Sequence, residues 1–209
     1  MAPRVKICGL TRPEDAETAF SLGADYLGLV FAKSPRNVDL GGALRIVEAV
    51  PTFQNMVGVF QNERQEAVEQ IASELGLGYL QFHGDETPAY CDYFTRAGFK
   101  IIKVIPVERA VSLDAFNRFN VFAFMFDTKK GNRFGGTGTP FDWSLLPPSL
   151  WETHRCFLSG GLSPENVSRA LSMCAPFAVD VSSGVESAPG QKDIQRMSAF
   201  ITHVKRDMS

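Results

Sequence analysis

Two short apolar runs end on side chains able to move a proton. VKICGL places Cys8 just before Gly9, and VFAFMFD ends on Asp127. A free cysteine is by default a small buried hydrophobe, so Cys8 needs a reason beyond packing only if its surroundings supply one. An arginine, Arg36, stands in SPRN after another such run. FLSGGL and VDVSSGVE supply Gly160-Gly161 and Ser182-Ser183-Gly184, small residues that let backbone N–H groups approach an anion. A single Gly-Gly pair is only a turn. Two such turns, one after each of the last two apolar runs, point to a phosphate. His83 in QFHGDE either orients and polarises a substrate or is a hydrogen-bonded structural histidine, whereas His154 and His203 read as surface residues.

These residues have to be held by something, and the chain offers a regular alternation. β-branched or aromatic runs recur as VKIC, YLGLVF, NMVGVF, YLQFH, KIIKVI, VFAFMFD, CFLS and FAVDVS. Helical patterns fall between them over 12–22, 41–50, 63–75, 88–96, 113–119, 163–173 and 191–205, with a poor segment at 143–145. Thr11 with Glu14 reads as a capping box with Pro13 in the first turn, and Ser163-Pro164-Glu165-Asn166 as a similar helix start. Eight strand-plus-helix units, with no linker or low-complexity tract, predict an α/β fold, a single (β/α)8 TIM barrel over residues 1–209.

Alternation along the strands then sorts the side chains. In VFAFMFD it sends Phe122, Phe124 and Phe126 toward the helices, and Ala123, Met125 and Asp127 inward. Asp127 then lies at the C-terminal end of its strand, where barrel enzymes place their chemistry. Lys6 shares an inward face with Cys8, Gln81 with His83, and Asp180 with Ser182. Lys6 is either a positive neighbour for the Cys8 thiolate or an interior ion-pair partner of Asp180. Asp180 is expected to orient substrate or a neighbouring group. The glycine-rich stretch 128–139, TKKGNRFGGTGT, reads as a lid over substrate, and its residue order does not match a triphosphate-binding loop.

Bulk properties exclude several classes. A formal charge of −2 and scattered Lys and Arg provide no basic stripe for nucleic acid. No apolar run approaches the roughly 18 residues of a membrane span, and the N-terminus lacks a signal-peptide core, so a cytoplasmic location without membrane contact is expected. The four cysteines, Cys8, Cys91, Cys156 and Cys174, are widely spaced with no metal-ligand pattern, which predicts reduced thiols and no metal.

KICGLT, SPRNV, VGVF, QFHGDE, the Asp of FMFD ahead of GGTG, LSGGLSPENV and VDVSSGVE follow one another along nearly the whole chain. In series they resemble the phosphoribosylanthranilate isomerases of tryptophan biosynthesis. The resemblance implies a cofactor-free Amadori rearrangement of a phosphorylated sugar–anthranilate substrate by a monomer or homodimer. It makes Asp127 the general acid that opens the furanose, Cys8 the general base that takes the C2 proton, and Arg36 the grip on the anthranilate carboxylate. Such roles ask for an Asp127 pKa above about 3.9 and a Cys8 pKa below about 8.5. The histidine-pathway isomerase performs the same rearrangement with two aspartates and a phosphate site in each half. Here strand one carries a cysteine, and FQNE stands where the second phosphate turn would be. A non-catalytic sugar-phosphate barrel would have no need of Cys8, Asp127 and Arg36 together.

Overall fold

Strands and helices alternate along much of the computed structural model, which describes residues 2–130, 133–134 and 141–206. The strands are β1 (Arg4–Cys8), β2 (Tyr26–Val30), β3 (Met56–Phe60), β4 (Tyr79–Phe82), β5 (Lys100–Val107), β6 (Ala123–Lys130), β7 (Arg133–Phe134), β8 (Cys156–Leu158), β9 (Ala178–Val181), β10 (Glu186–Ala188) and β11 (Gln191–Lys192). The helices are α1 (Pro13–Ser21), α2 (Leu40–Ala49), α3 (Gln65–Glu74), α4 (Pro88–Arg96), α5 (Leu150–Thr153), α6 (Val167–Met173) and α7 (Ile194–Arg206). Parallel strands follow the order β5-β4-β3-β2-β1-β9-β8-β6, and β5 pairs with β6 to close an eight-stranded barrel. β7 extends β6 as an antiparallel ribbon, and β10 and β11 form a separate hairpin.

The barrel closes because its strands are apolar on both faces. In β2, Leu27 and Leu29 point out into the layer beneath the helices, while Tyr26 points into the barrel. The inner floor is aromatic: Tyr26 meets Tyr79 and Phe157 edge-on, with centroids 5.3 and 5.4 Å apart. Above that floor the inward residues turn polar, with Lys6, Gln81, Asp127, Ser159 and Asp180 all buried. Buried polar groups need partners, so this upper rung is where structure and chemistry meet.

Several local expectations are corrected. Phe124 and Phe126 join the helix layer as expected, but Phe122 precedes β6 and packs across the barrel floor against Tyr79 and Phe177. Residues 113–119 form only a single 3-10 turn, Leu113–Ala115, because one turn suffices to seat Phe116 against Phe124 and a seven-residue helix gains little beyond its costly first turn. Thr11 does not cap α1: its hydroxyl donates to Gly190 O, Arg12 occupies the cap position, and Arg12 pairs with Asp15 instead. Residues 163–166 make a turn in which Asn166 Oδ1 accepts from Ser163 N at 2.9 Å, so α6 starts only at Val167. α7 begins at Ile194 because Gln191–Lys192 is taken up by the hairpin, and Asp193 Oδ1 accepts from Arg196 N at 2.9 Å to cap it. His154 and His203 are half-buried, the first edge-on to Phe116 and Phe124, the second at Pro164 O.

Candidate active site

A cavity of about 1050 Å³ opens at the C-terminal end of the barrel strands. Cys8 from β1, Asp127 from β6 and Asp180 from β9 line it, with Arg36, His83, Gly160, Gly161, Ser182 and Ser183 from the loops around them. Among the expected residues Gly184 alone does not reach the cavity, since its Cα packs against the Leu162 carbonyl. A second cavity, of about 560 Å³, lies between Phe122, Phe177 and Arg155 at the barrel floor and holds none of these groups. Most of the stretch expected to form a lid, residues 131–132 and 135–139 of 128–139, lies outside the described residues.

Lys6 does both of the things considered for it. Its Nζ lies 2.7 Å from Asp180 Oδ1, and its positive charge also acts on the neighbouring Cys8 thiol, opposing the effect of burial there. Ser159 Oγ donates to the other Asp180 oxygen at 2.9 Å. Burial is the largest single influence on the Lys6 ammonium and works against it, but the charge and hydrogen bond of Asp180 together with the neighbouring Cys8 outweigh it and raise the lysine above its ordinary pKa. Burial also pushes the Cys8 thiol up, opposed by Lys6 and reinforced by Asp180. The depressed thiol that a base would favour is therefore not what this surrounding produces: desolvation wins over one adjacent ammonium that is itself engaged by a carboxylate.

Gly28, paired in register with Cys8, makes room for this cluster. A Cβ there would come within 2.8 Å of Cys8 Sγ and 3.2 Å of Lys6 Nζ. The available signal was a glycine inside an apolar strand, which marks a close approach.

Across the mouth, Asp127 Oδ1 accepts the N–H of Thr128 at 2.6 Å, and Asp127 Oδ2 lies 3.4 Å from His83 Nε2. Gln81 Nε2 is 3.4 Å from His83 Nδ1. His83 thus faces the acidic group. The barrel ladder ends where Ser159 N donates to Phe126 O at 2.9 Å, and the chain then turns with Gly160 at φ +83° and Gly161 at φ +79°. Only glycine adopts this readily, and a Cβ on Gly160 would sit 2.6 Å from Thr128 N. Ser183–Val185 makes a 3-10 turn whose first N–H groups precede any internal bond. Among the described residues, Ser182 Oγ and Gln81 Oε1 are buried without a hydrogen-bond partner, and both belong to residues lining the cavity. A polar ligand would satisfy them.

Arg36 reaches the cavity with Glu186 behind it: Nε and Nη2 donate to the two carboxylate oxygens, each at 2.7 Å. Glu186 also takes Lys192 Nζ at 2.9 Å. Burial opposes the Glu186 carboxylate, yet the hydrogen bonds and charges of Arg36 and Lys192 hold its pKa below the ordinary value. Glu186 closes the VDVSSGVE motif, but nothing local in the sequence marks it as the partner of Arg36, and Lys192 stands in no motif at all. Lys103 and Glu86, 2.7 Å apart and buried, form a second unforeseen pair beneath the loop after β4.

A closed parallel barrel with a thiol, a carboxyl and an arginine gathered at its C-terminal mouth defines a (β/α)8-barrel enzyme of small-molecule chemistry. Residues 5–203 match the family model of N-(5'-phosphoribosyl)anthranilate (PRA) isomerase. The chain belongs to that family, and it is accordingly an isomerase of the aldose–ketose type. The N-(5'-phosphoribosyl)anthranilate isomerase of Trichlorobacter lovleyi is 43% identical over 203 residues, covering 97% of this chain and 98% of that one. The crystal structure of the Thermus thermophilus phosphoribosyl anthranilate isomerase is 34% identical with a TM-score of 0.88, covering 97% and 98% of the two chains. A phosphoribosyl anthranilate isomerase solved with reduced 1-(o-carboxyphenylamino)-1-deoxyribulose 5-phosphate is 38% identical, with a TM-score of 0.84 and coverage of 97% and 98%.

Proposed function

We propose that this chain converts N-(5-phosphoribosyl)anthranilate to 1-(2-carboxyphenylamino)-1-deoxyribulose 5-phosphate, with Asp127 as general acid and Cys8 as general base. The observation that carries the assignment is the delivery of a thiol from β1 and a carboxyl from β6 to one cavity, with a lysine near the thiol whose charge favours the thiolate.

Asp127, protonated, gives its proton to the furanose oxygen as the anilino nitrogen lone pair forms a C=N bond and the C1–O bond breaks. The ring opens to a protonated Schiff base. The Cys8 thiolate then takes the proton from C2, and the electron pair moves through C1 to neutralise the nitrogen, leaving an enolamine. Ketonisation sends the C2-hydroxyl proton to the Asp127 carboxylate while the proton held by Cys8 passes to C1, so both groups return to their starting forms. C1 is reduced, C2 is oxidised, and no external electron carrier enters. Lys6 serves the second step, since its ammonium stabilises the thiolate and Asp180 with Ser159 keeps it in place. His83 orients the open chain beside Asp127.

The phosphate lies on the N–H groups of Gly160, Gly161 and Ser183 with the Ser182 hydroxyl nearby, and the anthranilate carboxylate lies on Arg36. Substrate turnover by the purified protein tests the whole assignment. Cys8→Ser and Asp127→Asn should each cut kcat by roughly 10²–10⁴-fold while phosphate still binds. Near-full activity of Cys8→Ala would sink the base assignment. For the anion site, Ser183→Asp should raise KM by charge repulsion, and unchanged affinity would remove the phosphate from this turn.

A further inference from the structure

The guanidinium of Arg36 comes to the cavity with one edge already taken. Its Nε and Nη2 form a parallel fork with Glu186, which fixes both the plane and the rotation of the group. Arg36 lines the cavity and Glu186 does not, so the carboxylate grips the arginine from behind. The Glu186 side chain is 5% exposed, and a carboxylate so buried requires charged partners. Lys192 is the second of these. Its ammonium also donates to the Cys8 carbonyl at 2.6 Å and the Ser182 carbonyl at 3.2 Å, so one lysine ties the arginine's anchor to the ends of β1 and β9.

The backbone adds a further constraint. Gly9 has φ +73°, and a Cβ there would come within 2.5 Å of Arg36 Cδ. The arginine stem therefore crosses directly over the turn that follows the thiol. Two cations against one carboxylate leave this cluster with one uncompensated positive charge, and the guanidinium N–H groups not used by Glu186 are where an anion can meet it.

We infer that Glu186, anchored by Lys192, is a positioning residue that sets substrate specificity: it occupies one edge of the guanidinium so that Arg36 offers the other, at a fixed reach from Cys8, to an aromatic carboxylate. The inference rests on the reading of Arg36 as the carboxylate grip. A freely rotating arginine would meet anions in many geometries, and pinning it removes the ordering cost from the binding step.

The test compares phosphoribosylanthranilate with phosphoribosylaniline, the same molecule with hydrogen in place of the carboxylate. Kinetics are measured for Arg36→Ala, Glu186→Gln, Glu186→Asp and the Arg36→Ala/Glu186→Gln double variant, each checked for native fold by circular dichroism. Glu186→Asp keeps the charge on Lys192 and preserves folding, but withdraws the carboxylate by one methylene. Both Glu186 variants should lower the ratio of kcat/KM for anthranilate over aniline by about 5- to 30-fold, mainly through KM, as expected for a weakened charge-assisted contact. Adding Glu186→Gln to Arg36→Ala should lower that ratio no further. If Arg36→Ala separates the two substrates but the Glu186 variants do not, the positioning role is overturned while the carboxylate reading stands. If Arg36→Ala itself fails to separate them, that reading falls and the inference falls with it.

Discussion

Lys6 shows how one residue's role depends on groups far away in sequence. It was legible as an inward neighbour of Cys8 from strand alternation, but its two partners are satisfied at once only because β1 lies between β2 and β9. Lys6→Met should raise the Cys8 thiol further, because the largest group opposing its desolvation is lost while Asp180 remains. With Cys8 as the base, the limb of kcat/KM that reports the thiol then moves to higher pH, a shift that thiolate ultraviolet absorbance would report independently. A profile unchanged by the substitution would show that Lys6 does not tune the thiol. Gly28 gives a steric counterpart. Gly28→Ala places a methyl 2.8 Å from the sulfur and should displace it, lowering turnover much more than the about 1–3 kcal/mol of stability that overpacking costs. Wild-type activity in Gly28→Ala would mean that the thiol's position tolerates movement.

At the scale of elements, strands were far more legible than the segments joining them. Runs such as MVGVF carry their own signal in β-branched residues, whereas the start of α6 depends on where Asn166 can fold back onto Ser163 N. The loops after β3 and β4 make the same point. Glu86 accepts from Asn62 N at 2.8 Å and Gly84 N at 2.9 Å, and Lys103 on β5 reaches both the Glu86 carboxylate and Gly84 O. This strut holds the loop carrying His83 against the barrel wall. Lys103→Met strands a buried carboxylate and should destabilise the fold by about 3–5 kcal/mol, measured by urea unfolding. Pairing it with Glu86→Gln should recover part of that loss. A single variant as stable as the parent would show that the pair is not a support.

Across the whole molecule, the thiols that take no part in the site record how dry the helix layer is. Burial alone pushes Cys156 up to about 12 and Cys174 up to about 11, and burial also brings Cys91 to about 12, all from an ordinary 9.0. A folded pKa raised in this way contributes stability that is fully present below about 9 and is lost as pH climbs toward the folded value. Unfolding free energy should therefore fall by about 1.4 kcal/mol per pH unit for each thiol between about pH 9 and 11. Cys156→Ala should remove one thiol's share of that slope, and an equal slope in the variant would argue against it. What the sequence determined by itself was the barrel, its strands, and the inward set Lys6, Cys8, Gln81, Asp127 and Asp180, because alternation and apolar runs are local patterns that each segment carries alone. Tertiary structure decided the partners: Glu186 and Lys192 behind Arg36, Glu86 with Lys103, the space at Gly28, and the raised thiol of Cys8. Each of these depends on distances between strands and loops remote in the chain, and on how much water the closed barrel excludes, and neither quantity is written in any local run of residues.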